Sequence, residues 1–390
     1  MKASAVSGLQ GGTCVQLHWG MREFKVMVVG AYGFFGSRLV ASLARQSGLH
    51  IVVAGRSASA AHALLEGLAR DARASLSHAV LDVMAPGLQE RLKALAVDAL
   101  IHTSGPFQGQ DYRVALACAQ VGVHYVDLAD GREFVCGIDQ LEPQAKAAGV
   151  LLLSGASSVP ALSSAVVDAL ARSMARVDHI DIGISPGNRT DRGLSTVAAI
   201  LSYCGKPLPG AGQQAVIGWL RSYAHDYPAP VGRRLLSACD VPDLALLPRR
   251  YQNCSVRFGA GLELPLLHRG MNAMACLAHQ GLVRDWSIHA STLKRMADWF
   301  KKRGSDVGAM HVTVSGLDAQ GQASQRSWVL TAGSGDGPYV PTLAASALVR
   351  KLAAGAALAP GARPCMGLLT LQDFMAEARG LDIRMQELAP

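Results

Sequence analysis

The residues from Phe24 to Ser37 restrict the fold more tightly than any other stretch of this chain. Lys25 to Val29 is a short apolar run rich in β-branched side chains, which predicts a buried strand. Gly30, Gly33 and Gly36 follow at three-residue spacing, and Leu39, Val40, Leu43 and Ala44 then recur at helical spacing. Strand, glycine turn and helix in that order are the context a dinucleotide-binding unit requires. Gly30 would make the tight turn, Gly33 would let the backbone approach a pyrophosphate, and Gly36 would let the helix pack closely on the strand. Tyr32, Phe34 and Phe35, inside the same turn, join the expected contact set. The spacing is G-x-x-G-x-x-G rather than G-x-G-x-x-G, so a glycine turn without a ligand is the competing reading.

Twenty residues beyond Gly36, after the apolar run Ile51 to Ala54, stand Gly55, Arg56 and Ser57. An NAD site usually carries Asp or Glu here to hold the ribose 2′-hydroxyl. Arg56 instead offers a guanidinium fork suited to a 2′-phosphate, with the Ser57 hydroxyl beside it. The cofactor this implies is NADP; the plainer alternative for Arg56 is a solvated surface arginine.

The rest of the chain supports a large α/β protein. Half of its 390 residues are hydrophobic and only 17% are charged, with 41 glycines and a mean hydropathy of +0.21. No apolar segment is long enough for a membrane span. The formal charge of +8 comes from scattered basic residues rather than a stripe, so it suits an anionic cofactor and substrate better than nucleic acid. Eight cysteines show no C-x-x-C or paired zinc spacing, which predicts a reduced, cytoplasmic protein without a cysteine metal site. Met1 to Gly20 lack the apolar core of a signal peptide, and with Met21 just before the first strand the leading segment, 1–21, reads as a disordered extension or an upstream start.

Apolar strands and amphipathic helices alternate after the glycine turn, predicting a Rossmann-type, doubly wound parallel sheet. Asp82 closes a third strand over Ser77 to Leu81, where it either faces the adenine or caps the helix near Pro86. A fourth strand over Ala99 to Thr103 runs into Ser104, Gly105, Pro106 and Phe107. Ligands of such sheets bind beyond the carboxyl ends of the strands, so this loop should lie along the cofactor, with Phe107 covering the nicotinamide. His102, inside that strand, reads as a core histidine. His124 to Asp127 and Val150 to Leu153 complete six strands.

Gly105-Pro106-Phe107, then Cys118 followed by His124-Tyr125-Val126-Asp127, then Ser154-Gly155-Ala156-Ser157-Ser158-Val159-Pro160 together resemble the saccharopine dehydrogenase family of NADP-binding proteins. Gly337-Pro338, Gly361-Ala362-Arg363-Pro364-Cys365 and Leu371-Gln372-Asp373-Phe374 agree near the carboxyl end. The likeness is strong over about the first 165 residues and weak between about 205 and 300. The family includes saccharopine reductases and enoyl reductases of lipid assembly, and the likeness does not choose among them.

The predicted organisation is an NADP-binding domain over 22–158, an inserted α+β substrate or dimerisation domain over 159–335, and a segment over 336–390 that returns to the first domain. Val159 to Ala175 reads as a linking helix, His179 to Ser185 as a strand, and the residues around Asp318 to Gly321 as a β-hairpin turn. Asn188, Arg189, Arg192 and Gly193 form either an anion-binding loop over the cofactor or an ordinary polar turn. The aromatics Trp219, Tyr223, Tyr227, Tyr251, Trp286 and Trp299 serve either a pocket or plain core packing.

The function these features imply is hydride transfer to an imine, carbonyl or enoyl group of a small or lipid-like anionic substrate, with a homodimer formed through the second domain. Tyr125, Asp127, Tyr203, Arg192 and His225 are the candidate proton donors and anchors, none of them in a motif that fixes its role. The Tyr-x-x-x-Lys pair of short-chain dehydrogenases is absent. A non-catalytic NADP-binding sensor or partner protein is the alternative.

Overall fold

A computed structural model describes residues 22–208, 216–252 and 254–388; the expected leading extension lies outside them. The first sheet contains β1 (Phe24–Val29), β2 (Leu49–Gly55), β3 (Ser75–Val80), β4 (Ala99–His102), β5 (His124–Asp127) and β6 (Leu151–Ser154). Between them run α1 (Phe34–Ala44), α2 (Ala58–Leu68), α3 (Leu88–Leu95), α4 (Arg113–Gln120), α5 (Arg132–Cys136) and α6 (Glu142–Ala148). All strand pairs are parallel. Both faces are covered because the strands alternate: Val26 and Val28 enter one core, Met27 and Val29 the other.

The chain leaves this sheet through α7 (Ser163–Ala171) and enters β7 (Met174–Ser185). The expected linking helix is thus shorter and β7 longer, because the apolar pattern from Met174 onward is taken up by pairing with its neighbour strands. Next come α8 (Leu194–Ser202), the short strands β8 (Pro207–Leu208) and β9 (Val216–Ile217), then β10 (Ser222–Tyr227) and β11 (Gly232–Ala238). They are followed by α9 (Asp243–Arg250), β12 (Ser255–Ala260), α10 (Pro265–His279), α11 (Ala290–Asp298), β13 (Gly308–Asp318) and β14 (Ala323–Ala332). The hairpin expected around Asp318 to Gly321 is present, with Leu317 opposite Ala323.

The closing segment contains α12 (Leu343–Ala353), β15 (Gly361–Pro364), α13 (Leu371–Glu377) and β16 (Ile383–Leu388). β15 adds a seventh strand to the first sheet beside β6, in the order β15-β6-β5-β4-β1-β2-β3. β16 instead pairs antiparallel with β14 and ends the second sheet, ordered β10-β11-β12-β7-β13-β14-β16. This corrects the expectation that residues 336–390 return wholly to the first domain. Strand β16 finds its backbone partners on the open edge of β14, a pairing that no local pattern announces.

Ile180 and Ile182 of β7 and Val312 and Val314 of β13 join the same buried cluster as Val26 and Val28. The two sheets therefore share a core through α7 and α12.

Candidate functional site

The order of the first sheet reverses between β1 and β4, so the crevice for a ligand opens beyond their carboxyl ends. Gly30 takes a left-handed φ of +73° there, and a Cβ on it would stand 2.5 Å from Ser104 Oγ. A Cβ on Gly36 would stand 2.1 Å from the Gly30 carbonyl oxygen, so the helix approaches the turn as closely as the sequence implied. A Cβ on Gly33 would stand 2.9 Å from the Gly30 carbonyl oxygen, so the turn itself also disfavours a side chain there.

Gly33 is the N-cap of α1 and supplies no side-chain bond, so the first amides of the helix are left for a ligand. Phe34 and Phe35 face the crevice at this point. Tyr32 turns the other way: its ring lies against Gly55 and its hydroxyl accepts the Ser57 N–H at 2.7 Å. Ser57 Oγ caps α2 by accepting the Ala60 N–H at 3.2 Å. Arg56 is exposed at the end of β2. Asp82 accepts the Met84 N–H at 2.9 Å, a local turn contact that does not cap a helix, because α3 starts only at Leu88. Uncapped helix amides, a left-handed glycine and a free-standing arginine beyond β2 fit a dinucleotide with a 2′-phosphate.

On the far side of β1, Pro106 is exposed and the Gly105 carbonyl accepts the Ser195 hydroxyl of α8 at 3.2 Å. Phe107 does not cover the crevice. It is 5% exposed and packs its ring 5.1 Å from His102 and 5.4 Å from Phe134. Burying a phenyl ring under the loop outweighs presenting it to solvent. His102 is the core histidine expected, with burial lowering its pKa to about 4.

Tyr125 and Asp127 are also interior. Tyr125 is 1% exposed, with its hydroxyl 3.2 Å from His102 Nδ1. Asp127 is fully buried and accepts the N–H groups of Ala129 and Gly155 at 2.9 and 2.8 Å and the Ser154 hydroxyl at 3.0 Å. Burial pushes its carboxyl up to about 6, against the hydrogen bonds that hold it down. Neither side chain can touch a substrate, which corrects their expected catalytic place. Asp127 instead ties the loops after β5 and β6 together.

Those loops form the floor of a cavity of about 310 Å³ between the two domains, walled by the second sheet and α8. Most of its lining is apolar, including Val159, Ile200, Trp219, Phe258 and Met310. Arg192 stands on its wall with Nε and Nη2 buried and without a hydrogen-bond partner. Burial draws its pKa below the ordinary guanidinium value, with Asp298 and Glu263 opposing. Gly193 packs against Phe34, with a Cβ there 3.3 Å from the ring, so this loop lies directly over the amino end of α1.

The other members of the loop do not join Arg192. Arg189 is exposed, and Asn188 donates its side-chain amide to the carbonyls of Phe300 and Arg303 at 2.8 and 2.9 Å. Glu263 fixes the loop from beneath, accepting the Asn188 N–H at 2.6 Å and pairing with Arg234 at 3.1 Å.

Three cavity residues had no motif to mark them: Asp130, Gln108 and Tyr203. Gln108 donates to Asp130 at 3.3 Å, and burial raises the Asp130 pKa. Asp130 follows Asp127 by three residues in the loop beyond β5, and that position is the signal that could have singled it out. Of the aromatics, Trp219 lines the cavity, whereas Tyr223 stacks under Arg257 at 4.2 Å and Trp286 bonds the Met274 carbonyl at 2.9 Å.

Asp181, His225 and His311 cluster on the outer face of the second sheet, with ligand atoms within 4.8 Å of one another. Arg257 already holds both Asp181 oxygens at 2.8 and 2.6 Å, and the two imidazoles stack face to face at 3.6 Å. His311 Nδ1 also lies 2.9 Å from the Tyr227 hydroxyl, so the carboxylate and one imidazole already have protein partners.

Fold, glycine turn and uncapped helix together define a two-domain protein built on a Rossmann-type dinucleotide-binding domain. Residues 26–153 match the family of saccharopine dehydrogenase NADP-binding domains. Saccharopine dehydrogenase (L-Glu forming) from Saccharomyces cerevisiae has the same fold, with a TM-score of 0.64 at 13% identity over 94% of this chain and 100% of that one. Residues 26–153 are thus a saccharopine dehydrogenase-type NADP-binding domain. A Mycobacterium tuberculosis protein named as a candidate trans-acting enoyl reductase is 33% identical over 145 residues, 36% of this chain and 34% of that protein. The matched part spans about a third of that relative's length.

Proposed function

We propose that the chain is an NADP(H)-dependent oxidoreductase acting on an imine, carbonyl or enoyl group of a substrate with an apolar body and an anionic end. The observation that carries this reading is Arg192, a half-buried arginine on the wall of an apolar cavity whose Nε and Nη2 are buried without a hydrogen-bond partner. A buried cation without a partner is costly, and an anionic ligand would offset that cost. The relatives' names agree with a reductase, and the match to an enoyl reductase, over a third of the chain, leaves the acceptor group open.

NADPH, when bound, supplies a hydride. The chain does the rest. The first amides of α1 and the Gly30 turn hold the phosphates, and Arg56 selects the 2′-phosphate. The Gly105 loop and the ends of β5 and β6 border the reacting end. Arg192 orients the substrate through its anionic group, and the apolar walls exclude water. Asp130 is the proton source, its pKa raised by burial and its carboxyl held by the Gln108 side-chain amide.

The test is NADPH consumption across 2-oxo acids with amines, apolar keto acids and enoyl thioesters, with wild type and Arg192→Met. On the accepted substrate, Arg192→Met should raise KM by about ten- to a hundredfold, as loss of a charge-assisted bond implies, and leave NADPH affinity unchanged. A fall in NADPH affinity would make Arg192 a cofactor anchor. Tight NADPH binding with no consumption on any substrate would favour the sensor reading.

A further inference from the structure

The helical segment from Pro265 to Arg303 carries a surface that the proposed reduction does not use. Large apolar side chains stand out from it: Leu282 is 69% exposed, Ile288 76% and Trp299 79%. Leu266, Leu277 and Met296 are also exposed, so this one segment holds six of the eleven large exposed apolar side chains among the described residues. Scattered single exposures are ordinary, but a concentration in a tenth of the chain is not.

The pattern is helical. Ile288, Thr292, Met296 and Trp299 follow one another at spacings of four, four and three, which lines them along the outer side of α11. Ala290, Leu293 and Ala297 turn toward the protein on the opposite side. Basic residues flank the outer stripe: Arg284 before it, Arg295 within it, and Lys301, Lys302 and Arg303 after it, all exposed. Residues 265–303 contain seven lysines and arginines against two aspartates.

We infer that this face docks on the surface of an anionic phospholipid membrane. The exposed apolar side chains would enter the acyl boundary and the basic residues would meet the headgroups, the arrangement of an interfacial helix. An exposed tryptophan at the end of the stripe suits that boundary, where an amphipathic ring is stable. Pairing with a second copy through the same face is disfavoured by charge, because a twofold contact sets this basic surface against itself.

The face is also joined to the cavity. Asn188 holds the backbone just beyond Trp299 through the Phe300 and Arg303 carbonyls, and Lys301 pairs with Asp191. Those partners flank Arg192, and α8, which walls the cavity, packs against α11. A protein seated by this face would hold its apolar cavity beside the bilayer, within reach of an acyl substrate. The docking itself does not depend on the reductase reading.

Co-sedimentation of the full chain with phosphatidylcholine vesicles, with and without phosphatidylglycerol, tests this. Binding should require the anionic lipid and fall steeply on raising salt to about 0.5 M, where the Debye length shrinks to a few ångströms. The triple variant Leu282→Ser, Ile288→Ser, Trp299→Ser should bind at least about tenfold more weakly, with its melting temperature unchanged because all three sites are exposed. Arg295→Glu, Lys302→Glu, Arg303→Glu should lose the phosphatidylglycerol dependence. NADPH affinity should be the same in every variant. No binding to anionic vesicles, or equal binding by the triple serine variant, overturns the inference. So does a self-association of wild type that the serine variant abolishes, since the face would then join two copies, or capture of an acidic protein in place of lipid.

Discussion

At the scale of single residues, the glycine turn separates two roles that its spacing does not distinguish. A Cβ on Gly36 would stand 2.1 Å from the Gly30 carbonyl oxygen and one on Gly33 2.9 Å from the same oxygen, so both positions resist a side chain and the overlap is larger at Gly36. Gly36→Ala should therefore cost roughly 1–3 kcal/mol of stability and collapse NADPH binding together. Gly33→Ala should be the milder change in both, and thermal melts with calorimetric titration of the two variants will compare them. The role proposed for Arg56 concerns cofactor selectivity alone. Arg56→Ala should remove about 1.5–3 kcal/mol of NADPH binding and leave NADH binding unchanged, measured by calorimetry. Equal affinity of the wild type for the two cofactors would refute the 2′-phosphate role.

At the scale of elements, α9 carries a pH dependence. Asp243, in its first turn, is fully buried, and burial pushes its carboxyl up to about 7. In the unfolded chain an aspartate titrates near 4. Between those values the folded state binds the extra proton, so the contribution is fully present below about pH 4 and is lost as pH rises through 7. Asp243→Asn removes that loss. Relative to wild type, the variant should gain roughly 2–4 kcal/mol of stability on going from about pH 4 to 8, read by urea unfolding at each pH. A difference that stays constant with pH would mean that Asp243 does not titrate across the transition. The element scale also explains the fixed positions of the loops after β5 and β6: one carboxylate, Asp127, accepts hydrogen bonds from both.

At the scale of the molecule, two domains share one buried cluster, from Val26 of the first sheet to Val314 and Trp328 of the second. Neither can lose its packing without exposing the other. Calorimetry should therefore show a single unfolding transition, and NADPH at about 100 times its Kd should raise the stability of the whole chain by about 2.7 kcal/mol. Two resolved transitions, with only the first moved by NADPH, would show the domains to be independent.

The sequence alone determined the parts of this protein whose causes are local. Strand β1, the glycine turn and α1 follow from period, φ and close packing between Phe24 and Ala44, and Arg56 stands out in the sequence because a dinucleotide-binding sheet is expected to place the ribose at the end of its second strand. The β13–β14 hairpin and the family likeness are local in the same sense. Tertiary structure decided whatever depends on residues far apart in the chain. Tyr125 and Phe107 carry polar or aromatic groups suited to a site, yet packing turns both inward. Two of the groups expected beside Arg192 serve elsewhere, Asn188 as a backbone clamp and Arg189 in solvent, while Asp130, Gln108 and Tyr203 reach the cavity without a motif. The last strand crossed to the second sheet because β14 offered an edge. A side chain's chemistry is written in its identity, but its direction is set by the surfaces that must be buried around it, and those come from every part of the chain.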